Sequence, residues 1–223
     1  MNFFLVAAFV LSLHPNRVPD SYTPHELFEK CKDRAARIDS TLNKMNIRFI
    51  QSVEMRSRTG TADSLAFEIT SDHGRLTRRL LFSSVPNGGR FNGGYDAFDR
   101  MFHLSDYFSG RGKVLSSCDF GKSSCGKCLG IRFTLSSPSD PTDPLSTVSA
   151  SVDASDFTPV HIEEHLKGLP LGVEFEDNVD VAYNNDLKVY FPNKIVMQVY
   201  GTLFFLKGEV AVITIRNGDL QRI

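Results

Sequence analysis

The chain has 223 residues, a formal net charge of −1, 18 Phe and no Trp. That length suffices for one domain with a full core, and so balanced a charge gives no overall field to draw in nucleic acid or an anionic membrane. So much Phe serves either a packed core or the lining of an apolar cavity.

Taken in chain order, residues 1–20 read as a signal peptide. The run from Met1 to Leu13 is uncharged, apolar and too short to span a bilayer, although no Lys or Arg precedes it and no Ala-x-Ala site follows. The expectation is a soluble, exported protein whose single domain covers 21–223. Thr23-Pro24-His25-Glu26 then forms a helix start, with Thr as N-cap, Pro at the first helical position and Glu three residues on. The helix is predicted to run from Pro24 to about Met45, its apolar stripe being Phe28, Cys31, Ala35, Ile38, Leu42 and Met45, with Lys, Arg and Asp on the other face.

From Ile47 the period falls to two. Ile47, Phe49, Val53 and Met55 share a face with Gln51 among them, Leu65, Phe67 and Ile69 continue it, and Arg75 to Phe82 makes a third strand, all joined by hairpin turns. Residues 83–94, rich in Gly and Ser, read as a hinge or lid loop. Tyr95, Phe98 and Phe102 then recur at helical spacing, which predicts a short helix to about Phe108.

Strands are predicted again at 112–117 and 130–136, making Cys118 to Cys128 the connection between them. Within it, Gly121 to Lys127 has the spacing of a phosphate-binding loop, but Cys128 stands where a hydroxyl must hold Mg²⁺, and a strand follows where a helix is required. In an oxidising compartment Cys31, Cys118, Cys125 and Cys128 could form two disulfides, with connectivity left open. The rivals are zinc, for which Cys31 is remote and no His has a finger-like spacing, and a redox motif, which needs a helix at Cys125.

Residues 137–144 read as a proline-punctuated surface loop. Further on, His161-Ile162-Glu163-Glu164-His165 matches a zinc-protease pattern whose ligands must share a helix face, yet Val160, Ile162 and Leu166 suit a strand. Strands close the chain at 173–183, 188–199, 202–206 and 210–216. The composite expectation is an α+β fold, a large antiparallel sheet with helices on one face.

Several phrases carry a family resemblance. Phe49-Ile50-Gln51-Ser52-Val53 matches Phe-x-Gln-x-Val, and Val152 to Glu163 resembles an Asp-containing turn followed by a Pro-Val-x-Ile-Glu strand. Tyr190-Phe191-Pro192-Asn193-Lys194-Ile195 resembles the strand that comes next, and Thr202 to Leu206 a final aromatic strand. In this order, from Thr23 to Arg216, they resemble the LolA/LolB-like family of periplasmic lipoprotein carriers. Arg78-Arg79-Leu80-Leu81-Phe82 departs from it, lacking the family's Pro and Trp in that region. The resemblance implies a curved antiparallel half-barrel whose concave apolar face is covered by helices and shelters acyl chains of a lipid or a lipoprotein.

On that reading Phe49, Val53, Leu65, Phe67 and Ile69 are the candidate cavity wall. Phe28, Ile38, Tyr95, Phe98 and Phe102 are the lid candidates. The protein is expected to be a monomeric, non-enzymatic periplasmic carrier or sensor without metal or cofactor, exchanging cargo with a membrane-anchored donor or acceptor protein. The alternatives are an interaction domain with a filled core, and a metal-dependent hydrolase using His161, Glu164 and His165 or the cysteine turn.

Overall fold

Thr23 caps the first helix, α1 (Pro24–Asn43), in a computed structural model of the protein. Its hydroxyl accepts the Glu26 N–H at 3.3 Å, and the Glu26 carboxylate accepts the Thr23 N–H at 2.7 Å. Two donors that a first turn leaves unpaired are thereby satisfied. The structure describes residues 22–60, 62–84, 103–109, 114–122, 128–137, 140–167, 173–203 and 206–223.

After α1 come β1 (Ile47–Ser57), β2 (Ala62–Asp72), β3 (Arg75–Ser83), a short helix α2 (Ser105–Ser109), β4 (Val114–Lys122) and β5 (Cys128–Ser137). Then follow β6 (Asp140–Asp153), β7 (Pro159–Leu166), β8 (Glu174–Asn184), β9 (Val189–Leu203) and β10 (Leu206–Arg222). The ten strands among the described residues form one antiparallel sheet in the order β3-β2-β1-β10-β9-β8-β7-β6-β5-β4. The sheet is curled and unclosed, with β3 and β4 as its edges. The connection from one edge to the other contains α2.

Three expectations about the strands are corrected. Cys118 lies inside β4, which runs on to Lys122, and not in a turn. The proline-rich stretch expected as a loop opens β6 at Asp140. There Ser136 pairs with Pro144 and Ser137 with Asp140, while pairing to β7 begins only at Ser146, so the prolines face an irregular ladder on one side and are not required as donors on the other. Finally, the three strands expected after Asp186 are two, because Gly201 and Gly208, which lie in the gaps between the expected strands, pair with each other inside the β9–β10 hairpin.

Alternation buries one face of the sheet. Ile131, Ala150, Ile162, Val179, Ile195, Ile215, Val53 and Leu65 stand in register, one from each strand from β5 round to β2. None is more than 4% exposed. The stripe of α1 joins the same cluster through Phe28, Cys31, Ala35, Ile38 and Leu42, and α2 contributes Tyr107 and Phe108. Rings from three elements meet where Phe28 and Phe108 close on Phe133 of β5, at centroid distances of 4.8 and 5.4 Å. Each such contact adds to the area term of about 25 cal/mol per Å² of apolar surface buried.

One polar residue fixes α2 to α1. Asp39 is buried within the helix stripe, and its two carboxylate oxygens accept the N–H groups of Leu104 at 2.9 Å and Ser105 at 2.8 Å. Burial pushes this carboxyl up, and the bonds from Ser105 and Leu104 pull it back. Replacing Asp39 by Ala is expected to cost about 1–3 kcal/mol, since two buried N–H groups lose a charged acceptor. Urea unfolding measures the cost. An unchanged midpoint would show that α2 does not depend on this bond.

Candidate functional site

The buried face of the curled sheet, the inner one on which α1 and α2 pack, changes character from row to row. Beside the fully buried row runs a second, Val148–Glu164–Asp177–Met197–Ile213–Met55, and beyond it a third, Ser146–Leu166–Phe175–Val199–Ala211–Ser57. Leu166, Phe175, Val199, Ile213 and Met55 are only half-buried, and Met197 among them is 8% exposed. An apolar strip on the inner face is therefore incompletely covered.

Two acids interrupt that strip. Glu164 and Asp177 are direct cross-strand partners, and Ser146 donates its hydroxyl to Glu164 Oε1. Asp177 Oδ1 and the hydroxyl of Tyr107 on α2 are both buried without a hydrogen-bond partner. Burial, then the charge of Glu164, pushes the Asp177 carboxyl up to about 7. Burial pushes the Tyr107 hydroxyl well above its ordinary range, with Asp177 and Glu164 adding to it. At neutral pH the pair therefore shares less than its two formal charges. A second polar break lies in β1, where the Gln51 amide donates to Asn217 Oδ1 at 3.1 Å and Asn217 in turn donates to the Pro192 carbonyl at 2.8 Å.

The candidate wall residues fall together. Phe49 faces Ile69 and Val53 faces Leu65 across β1 and β2, Phe67 stands opposite Gln51, and all five are 4% exposed or less within the core cluster. Phe28 and Ile38 are buried on α1 against the same cluster. Tyr95, Phe98 and Phe102 lie outside the described residues, as does the apolar run of residues 1–20. Among the described residues no helix is long and apolar enough to cross a membrane.

The cysteines divide differently from the expectation. Cys31, buried on α1, and Cys118, half-buried on β4, are free thiols. Cys118 Sγ donates instead to the Pro24 carbonyl at 3.4 Å, and burial pushes the Cys31 thiol up to about 12. Cys125 lies outside the described residues, and Cys128, the first residue of β5, is not among the free thiols. The zinc-protease pattern is dispersed by the strand period. On β7, His161 and His165 occupy the outer face, beside Asp180 at 2.8 Å and Glu174 at 2.9 Å, while Glu164 points inward. Three such ligands cannot converge from opposite faces of a strand.

Asp39, Asp177 and the pairing of Asp177 with Glu164 are what sequence reasoning passed over. Asp39 carried a signal, since it stands four residues after Ala35 and three before Leu42, on the buried stripe itself. The acid pair carried none short of the β7–β8 register.

These features define a curled, unclosed antiparallel sheet with an incompletely covered inner face. Among solved structures the chain is similar to a LolA superfamily protein from Nitrosomonas europaea, with 12% identity, a TM-score of 0.44, and coverage of 91% of this chain and 94% of that one. It is similar also to a DUF1329 family protein from Desulfovibrio piger, with 10% identity, a TM-score of 0.47, and coverage of 90% and 94%. A third is a domain described as an outer membrane lipoprotein-sorting protein, from Vibrio parahaemolyticus, with 8% identity, a TM-score of 0.44, and coverage of 90% and 93%. No family model matches the chain, and a search of curated proteins finds no match.

Proposed function

We propose that the chain is a non-enzymatic carrier or sensor that holds acyl chains, of a lipid or a lipoprotein, in the periplasm after export. The observation that supports this is the half-covered strip of Leu166, Phe175, Val199, Ile213 and Met55 on the inner face of an unclosed sheet. Methylene groups laid along it displace water at about 0.8 kcal/mol each. Met55 and Met197, unbranched and polarisable, adapt to chains of different shape. Phe49, Val53, Leu65, Phe67 and Ile69 continue the same face away from the strip, in the core cluster that Phe28 and Ile38 of α1 join. The sequence phrases that resemble the lipoprotein carriers point the same way.

The test is a titration with a fluorescent fatty acid, alongside native mass spectrometry of protein purified from a periplasm. Saturable uptake is expected, with co-purified lipid. Ile213→Asp should weaken uptake by about tenfold or more while the thermal melt stays near the parent's, because a half-buried position lets water reach the new charge. A protein that neither binds the probe nor carries lipid is an interaction domain with a filled core.

A further inference from the structure

Between α1 and the β8–β9 hairpin lies a pocket of about 350 Å³ whose walls include Arg34, Arg37, Lys188, Asp156, Tyr183 and Tyr190. Ile38 and Val189, both members of the core cluster, also line it, so its apolar side abuts the interior. The strip described above is a separate place, toward the other end of β8 and β9.

Three of these groups are cations and one is an acid, and they are not equally engaged. Arg34 Nη2 donates to Asp156 Oδ2 at 2.6 Å, and Arg34 Nε donates to the Thr158 hydroxyl at 2.7 Å. The other Asp156 oxygen accepts the Thr158 N–H at 3.0 Å. Both oxygens of the acid are thus in use, with Arg34 as its ion partner, while burial and then Asp156 and Asp153 still raise the Tyr190 hydroxyl beside it against the opposing pull of Arg34. The side chains of Arg37 and Lys188 remain, exposed and without a hydrogen bond or ion pair among the described residues. Two like charges on one pocket favour an anion between them.

The walls that carry these charges are firm. Lys188 has a φ of 54°, a left-handed conformation in the turn where Asn184 Oδ1 accepts the Leu187 N–H at 2.8 Å. Tyr183 and Tyr190 stand 4.8 Å apart between ring centroids, and the Arg34 guanidinium lies 5.9 Å from the centre of the Tyr190 ring. A phosphate ester brings a charge of about −1.5 to −2 and three strong acceptor oxygens, which matches two unengaged cations. The volume lies within the range of about 300–1,000 Å³ found for small-molecule pockets, so there is room for what the phosphate is attached to.

We propose that this pocket binds a phosphate group, with Arg37 and Lys188 as its cationic ligands and Ile38 and Val189 receiving the apolar part of the molecule that bears it. The expected occupant is the phosphorylated end of an amphiphile. Only that choice of occupant rests on the acyl-chain reading; the anion site does not.

Isothermal titration of the full chain with dihexanoylphosphatidic acid, inorganic phosphate and dihexanoylglycerol tests it. Arg37→Gln/Lys188→Gln should weaken the phosphatidic acid by about tenfold to a hundredfold, as expected for lost charge-assisted hydrogen bonds. Dihexanoylglycerol should not distinguish the variant from the parent. Arg58→Gln/Arg216→Gln, which makes the same charge change on another surface, should bind all three probes as the parent does. Inorganic phosphate bound as tightly as the phosphatidic acid, and lost in the same variant, upholds the anion site with free phosphate as its occupant. The proposal is overturned if neither phosphate probe binds the parent, if the Arg37/Lys188 variant binds both as the parent does, or if the control variant loses as much. Uptake of the fatty-acid probe that is lost in Ile213→Asp but kept in Arg37→Gln/Lys188→Gln separates failure of this site from failure of the carrier reading.

Discussion

A Phe49→Asp protein is expected to show no cooperative unfolding transition. Phe49 is 2% exposed and faces Ile69 on β2, and on its other side β10 carries one extra residue between the partners of Arg48 and Ile50. Phe49 thus stands opposite a bulge. A carboxylate there is buried without a partner, which costs several kcal/mol against a total stability of about 5–15. The milder Phe49→Ala leaves a cavity and should lower stability by about 3–5 kcal/mol. Urea unfolding followed by circular dichroism measures both. An Asp variant that melts like the parent would mean that water reaches this wall, and the core around it is then a hollow.

The second large effect depends on pH. In the unfolded chain Asp177 titrates near 3.8, whereas burial and then the neighbouring charge of Glu164 raise it to about 7 in the folded state. The unfolded state therefore releases this proton first. The contribution is fully present below about 3.8 and is lost as pH rises through about 7, in an amount on the order of 2–4 kcal/mol. Asp177→Asn removes that dependence. The variant should be more stable than the parent at pH 7.5 and close to it at pH 4.5, with Glu164 still held by Ser146 in both. Unfolding free energies that differ by the same amount at the two pH values would show that Asp177 does not titrate in this range.

Local chemistry made much of the fold readable in advance. Thr23, Pro24 and Glu26 announce a helix because the cap bonds are made within four residues. The alternation from Ile47 to Ile69 announces hairpins because both faces of each strand differ in polarity. The same alternation removes the metal reading of His161, Glu164 and His165, since a period of two separates what a helix would gather. What could not be read depends on distant partners. Pro141 and Pro144 fit a strand only because β7 does not extend beside them. Gly201 and Gly208 lie in a strand only because each is the other's neighbour. Glu164 and Asp177 become a coupled pair only once the β7–β8 register is known, and the β1–β10 contact that joins the two parts of the sheet has no local signal at all.

That contact bears on how the chain reaches its fold. Strands β1 to β3 and β4 to β10 are each a run of neighbours that can zip locally, but the seam between the runs joins the first strand to the last. Gln51 and Asn217, bonded across it, are 166 residues apart in the chain. Closing so long a loop adds little entropy beyond that of a shorter one, yet it makes the topology slow, because the seam can form only when the final strand exists. Until then the inner edge of β1 is an open template for any other strand. The buried amide pair discriminates among candidates, since a slip of one residue would turn Gln51 away from Asn217 and leave polar groups unmatched inside. Strands β1 and β10 are therefore the keystone of the sheet: losing β10 would part it into three strands and six, each piece left with a raw edge.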